Sequence, residues 1–133
     1  MSKSNTTEIK QGAGTEVDHF VYRVPKKNHE AIMKLNKQFV DIMRKYETQH
    51  LIFQLNNTEA PMEGITNIAK TISANQDEEV WMELIVYRDS KHRDEVGAMM
   101  QSDERMGPLF RQSMDLVTPG TGFIMGQFSR LSI

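Results

Sequence analysis

Residues 78–96, EEVWMELIVYRDSKHRDEV, constrain the fold more than any other stretch of the chain. Residues 80–87 form a nearly continuous apolar run, as expected of a strand covered on both faces. The run breaks at Arg88, and either Asp89 or Ser90 can cap a helix that carries Val96, Met99 and Met100 inward. A doubly covered strand needs other strands beside it, and the remaining sequence has to supply them.

Residues 17–24 are one such strand. Phe20, Tyr22 and Val24 alternate with Val17, His19, Val21 and Arg23, and Pro25 ends the run. Asn28 stands where an N-cap is wanted for a helix whose apolar stripe is Ile32, Leu35, Phe39, Ile42, Met43 and Tyr46. Lys34, Lys37, Asp41, Arg44 and Lys45 are its solvated face. Residues 50–55 give a second strand, with Leu51, Phe53 and Leu55 on one side and His50, Ile52 and Gln54 on the other. Pro61 and Gly64 punctuate a loop over residues 56–64. Ile68 and Ile72 would fit a helix, but the β-branched Thr66, Thr71 and Ile72 favour a strand over residues 66–73. Ser102 can cap a further turn, and Pro108 suits the start of a short helix reaching Asp115. A turn at residues 118–122 leads to a last strand over residues 123–131.

The order βαββαβ predicts an α+β, ferredoxin-like sandwich: an antiparallel sheet of order 4-1-3-2 with helices on one face. Residues 1–16 are polar and read as a disordered tail; residues 17–133 read as a single domain. The chain has no cysteine, which excludes disulfides and thiolate chemistry. A formal charge of −2 offers nucleic acid or an anionic membrane no attraction, and no apolar run reaches membrane length. A cytoplasmic protein is expected.

Sorting the strands by face gives a helix-side set of Phe20, Tyr22, Val24, Leu51, Phe53, Leu55, Met82, Leu84, Val86, Ile124 and Phe128. The other face is mixed: His19, Val21, Arg23, Gln54, Trp81, Glu83, Ile85, Tyr87, Met125 and Gln127. No element of the chain covers it, so its apolar residues predict a two-fold homodimer, sheet to sheet. Its polar groups would be costly in a dry interface and point to a lined cavity for a small hydrophobic ligand. Glu83 is the candidate general base, with His19 as its proton relay. Arg23, Gln54, Trp81, Ile85, Tyr87, His92, Met125 and Gln127 are the candidate ligand contacts. The structural alternative for Glu83 is an ion pair with Arg23 that sets strand register. For His92 a local contact within His92-Arg93-Asp94 is favoured over a catalytic role, and His29 and His50 read as exposed. Glu83, His19 and His92 lack metal-ligand spacing, so no metal and no cofactor is expected.

Several segments occur in an order that resembles the YbaA-like family of uncharacterised proteins. They are Val24-Pro25-Lys26-Lys27-Asn28, Ile85-Val86-Tyr87 followed by His92-Arg93-Asp94, Ser102-Asp103-Glu104-Arg105-Met106, and Gly126 with Phe128. The resemblance covers nearly all of residues 17–133. It implies the dimeric α/β-barrel superfamily, in which paired sheets form a barrel. It also implies cofactor-independent oxygenation, isomerisation or lyase chemistry. Asn56, Asn57 and Thr58 replace an acidic pair usual in that family. Residues 119–122 replace its Asp-Gly-Lys-Arg segment, and Glu83 and Leu84 replace a small residue and a tryptophan. Two function classes follow: a small enzyme using Glu83 or His19 as base, or a non-catalytic ligand-binding or structural dimer. RNA binding is a remote third, because the strand order matches RNA-recognition modules but the glycine-aromatic pattern in strand three is missing.

Overall fold

Two ten-residue strands, β1 (Glu16–Pro25) and β3 (Glu78–Tyr87), pair antiparallel along their whole length. Glu16 stands opposite Tyr87 and Pro25 opposite Glu78. β2 (Gln49–Gln54) adds to the far side of β3, and β4 (Phe123–Ser129) to the far side of β1. The resulting order, β2-β3-β1-β4, is the expected 4-1-3-2 read from its other edge. These relations come from a computed structural model in which residues 14–120 and 123–133 are described. Most of the expected tail, residues 1–13, lies outside them. Thr15 and Glu16 are tied to the sheet, Glu16 as the first residue of β1 and Thr15 by donating to the carbonyls of Tyr87 and Arg88.

After a 3-10 turn at Lys26–Asn28 come helices α1 (His29–Lys45), α2 (Ile68–Thr71), α3 (Ser90–Ser102) and α4 (Met106–Leu116). The architecture is α+β, a four-stranded antiparallel sheet with four helices. Among the described residues no helix is long and apolar enough to cross a membrane. Asp89 is the cap of α3, its carboxylate accepting from the His92 amide at 2.8 Å. Asn28 occupies the N-cap of α1, but its side chain donates to the Leu116 carbonyl at 2.8 Å and ties the start of α1 to the end of α4.

Residues 66–73 do not form the expected strand. The Asn67 side chain accepts from the Ala69 amide at 2.9 Å and donates to the Asn57 and Glu59 carbonyls. One cap thus starts α2 and holds the preceding loop, outweighing the modest β preference of Thr71 and Ile72. Ser102 closes α3 by donating to the Ala98 and Met99 carbonyls rather than capping α4, and Met99 is exposed.

The larger correction concerns the sheet faces. Phe20 stands opposite Glu83 and Tyr22 opposite Trp81, and directly opposed residues share a face. Trp81, Glu83, Ile85 and Tyr87 therefore lie with Phe20, Tyr22 and Val24 beneath the helices. Gln54, Met125 and Gln127 join them through the β2–β3 and β1–β4 registers. The opposite face carries His19, Val21 and Arg23 with Leu51, Phe53, Met82, Leu84, Val86, Ile124 and Phe128. β1 has the expected phase; the other three strands have the reverse.

The helix side holds the core. Leu35, Ile42 and Met43 of α1 cluster with Ile85, Tyr87, Val96, Met106 and Leu109. Tyr22, Val24, Ile32, Trp81 and Val117 form a second cluster. Full burial of each such side chain contributes about 1.5–3 kcal/mol. On the other face α2 covers one corner, packing Ala69 and Ile72 on Val21 and Val80.

Gly14 enters β1 with φ +86°, and a Cβ there would stand 2.4 Å from the Tyr87 carbonyl oxygen. Gly14→Ala is expected to lower stability by about 1–3 kcal/mol, from positive-φ strain and displacement of the Thr15–Tyr87 bond. Urea unfolding measures it; an unchanged midpoint would contradict this seating of the chain.

Candidate functional site

α3 and α4 lie over the sheet without filling the space beneath them. Gly97, Ala98 and Gly107 face that space, and a Cβ added at Gly97 would meet nothing within 4 Å. The result is a cavity of about 810 Å³ between the sheet and α1, α3 and α4. Its floor is Asp18, Phe20 and Tyr22 of β1 with Glu83, Ile85 and Tyr87 of β3. Phe39, Met100, Met106 and Phe110 supply apolar wall. The volume and character suit a small organic molecule.

One hydrogen-bonded chain crosses the floor. The Tyr22 hydroxyl donates to Glu83 Oε1 at 2.5 Å and accepts from Asn36 Nδ2 at 3.1 Å. Glu83 Oε2 lies 3.0 Å from His50 Nε2. An ionised carboxylate can only accept, so this contact assigns the proton to Nε2. His50 Nδ1 is buried without a partner among the described residues. Burial, and then the adjacent Glu83 charge, push the Tyr22 hydroxyl far above its usual range, so it remains a donor. Each Glu83 oxygen keeps a lone pair free for a ligand.

A second group lies on the same floor. The Tyr87 hydroxyl donates to Asp18 Oδ2 at 2.9 Å and Gln127 Nε2 donates to Oδ1 at 3.1 Å. Burial first, then Asp18, raise the Tyr87 hydroxyl. Arg93, at the cavity edge, is engaged by Glu16 at 3.1 Å.

The structure brings only some of the sequence-predicted residues together. Glu83, Ile85, Tyr87 and Gln127 line the cavity. His19 lies on the opposite face, with Leu84 and Gly126 beside it and the Phe128 ring 5.9 Å away, so it cannot relay a proton for Glu83. Arg23 is also on that face and pairs with Glu78 at 3.4 Å, not with Glu83. Burial acts to raise the Glu78 carboxyl, but Thr118, the Asn75 amide and Arg23 more than offset it and leave it below its usual range. Trp81 is core, its indole donating to Glu79 at 2.9 Å. Gln54 and Met125 share the helix-side face but lie outside the cavity lining. His92 is a clip: Nδ1 accepts from the Arg88 amide at 3.0 Å and Nε2 meets the Tyr46 carbonyl at 2.9 Å, which occupies both nitrogens.

Tyr22, Asp18, Asn36 and His50 were not among the predicted site residues. His50 read as exposed, yet its side chain is 2% exposed. Asp18 already lay in the predicted strand on the face of Phe20 and Tyr22, and one more residue at its start would have added Glu16 to that series.

Tyr22→Phe removes one hydroxyl and leaves both Glu83 and buried Asn36 short of a partner. A loss of about 1–3 kcal/mol is expected in chemical denaturation. Equal or greater stability than wild type would mean that this chain is not formed.

Residues 15–117 match a family model described as "Protein of unknown function (DUF1428)". The matched span contains every cavity-lining residue except Phe123 and Gln127. No curated protein matches the chain. Since the match extends over well more than half of the sequence, the chain belongs to the DUF1428 family of proteins of unknown function.

Proposed function

We propose that this protein binds a small, largely apolar organic molecule in the cavity between sheet and helices and moves a proton on it, with Glu83 as the base. The observation that carries this reading is the Asn36–Tyr22–Glu83 chain lining a largely apolar cavity, with His50 behind it holding Glu83. A polar chain of this kind is costly to bury for stability alone. Two donors hold the Glu83 carboxylate in one orientation, as proton transfer requires. His50 Nε2 already carries the proton it donates to Glu83, so His50 orients and stabilises the carboxylate. The chemistry supported is cofactor-independent proton abstraction, of the isomerase or oxygenase type. Glu83 alone carries the basic role, and His50 positions it rather than relaying its proton as was expected of His19.

The reading includes a homodimer of the YbaA-like, dimeric α/β-barrel kind. Its support is the sheet face away from the helices, where Leu51, Phe53, Ile124 and Phe128 are 37–55% exposed. A second copy would cover these side chains. This association surface differs from the one first expected, because Trp81, Ile85 and Tyr87 are already covered by helices.

Two measurements check the reading. Wild-type protein incubated with a metabolite extract in deuterium oxide should place deuterium on an acidic C–H of at least one small molecule. Glu83→Gln should slow that exchange at least ~100-fold, within the usual contribution of a general base. Exchange retained by the variant would remove Glu83 from the role, and binding without any exchange would leave a carrier rather than an enzyme. Separately, Phe53→Glu should convert a dimer to a monomer in analytical ultracentrifugation; a wild-type monomer would refute the sheet-to-sheet pairing.

A further inference from the structure

The charged groups around the cavity do not balance. Asp18, Glu83 and Asp94 are its carboxylates, and Arg93 is its only guanidinium or ammonium group among the described residues. Arg93 is engaged by Glu16, which is outside the lining. Glu83 faces His50, and Asp94 is exposed. Asp18 is different. It is buried, and the partners that hold it, the Tyr87 hydroxyl and the Gln127 amide, are neutral. Neutral donors orient a carboxylate, but they do not cancel its charge. Arg93 acts on the neighbouring Tyr87 hydroxyl but is paired with Glu16, so Asp18 has no cation in direct contact among the described residues, and a ligand that supplies one relieves the cost of burying it.

The surroundings match such a ligand. Phe20 follows Asp18 on the same face of β1, and Tyr22, Phe39, Phe110 and Phe123 also line the space. Aromatic faces attract organic cations as well as apolar bodies. In the β1–β3 register Asp18 stands opposite Ile85 and Phe20 opposite Glu83, so the two carboxylates are one diagonal step apart on the floor.

We infer that the cavity takes an organic amine with an aromatic or aliphatic body, its ammonium group paired with Asp18 and its body laid over Phe20 toward Glu83. This rests on the cavity being the ligand site and adds the class of ligand. It also divides the work of the two carboxylates. Asp18, held by groups that cannot take up its proton, anchors charge. Glu83, in contact with His50, is left for proton transfer.

The test is calorimetry at neutral pH with three probes of one shape: 2-naphthylmethylamine, 2-naphthylmethanol and 2-naphthoate. The amine should bind at least tenfold more tightly than the alcohol, and the carboxylate should bind most weakly. In Asp18→Asn, the amine should fall to the affinity of the alcohol while the alcohol is unchanged. Binding of the alcohol as tight as the amine, or tighter binding of the carboxylate, would overturn the assignment and leave the cavity as a ligand site. An equal loss of amine and alcohol in Asp18→Asn would reduce Asp18 to a structural residue. If none of the probes binds, both the assignment and the cavity reading fall. The ranking in wild type decides the matter even if the variant does not fold.

Discussion

The register between β1 and β3 determines nearly everything else in this molecule. With Phe20 opposite Glu83, two central strands put Glu16, Asp18, Tyr22, Glu83 and Tyr87 on one surface. A shift of one residue in that pairing would send the whole β3 set to the other side of the sheet. The register is itself held at both ends. Thr15 is bound to the end of β3, and Lys26 donates to the Asp77 carbonyl at the far end. Arg23 and Glu78 clamp the same end from the face opposite the cavity. The polar chain on the floor then follows, because Tyr22 and Glu83 are diagonal neighbours on adjacent strands.

The cavity exists for a second reason, which lies in the helices. α1 presents large side chains and seals its half of the sheet with Ile32, Leu35 and Met43. α3 buries only His92 and Val96, and His92 is spent on a clip to Tyr46. Gly97, Ala98 and Gly107, all small, line the open space between the helices and the sheet. Glycine inside a helix lowers its stability by about 0.5–1 kcal/mol relative to alanine, so the opening at Gly97 carries a stability cost.

The four sheet strands, the helices after β1 and β3 and their order were legible in the sequence, whereas the sign of three strands was not. β1 carries enough contrast between Phe20, Tyr22 and Val24 and their neighbours to show which side meets the helices. β3 does not, because Trp81, Ile85 and Tyr87 are no more apolar than Met82, Leu84 and Val86. In β2 the pattern misleads. Leu51 and Phe53 are its most apolar residues, yet they sit on the open face, and buried His50 takes the core side. A sheet with two apolar faces shows the period of its strands but not which side is inside. Glu83 stood out because a carboxylate between Met82 and Leu84 is unusual; its partners became visible only once the register was known. The helix at Ile68–Thr71 was missed because a single Asn67 cap outweighed β-branched residues.

The methionines give the most direct test of whether the site lies on the helix side. Met100 and Met106 line the cavity, whereas Met82 is on the opposite face of the sheet. Methyl-labelled methionine can be followed by NMR while 2-naphthol, a neutral probe, is titrated into the protein. Saturable shifts at Met100 and Met106, with Met82 unmoved, are the expected result. Shifts at Met82 with Met100 and Met106 still would place the ligand on the open sheet face and contradict the assignment of Glu83, Tyr22 and His50 to a working site.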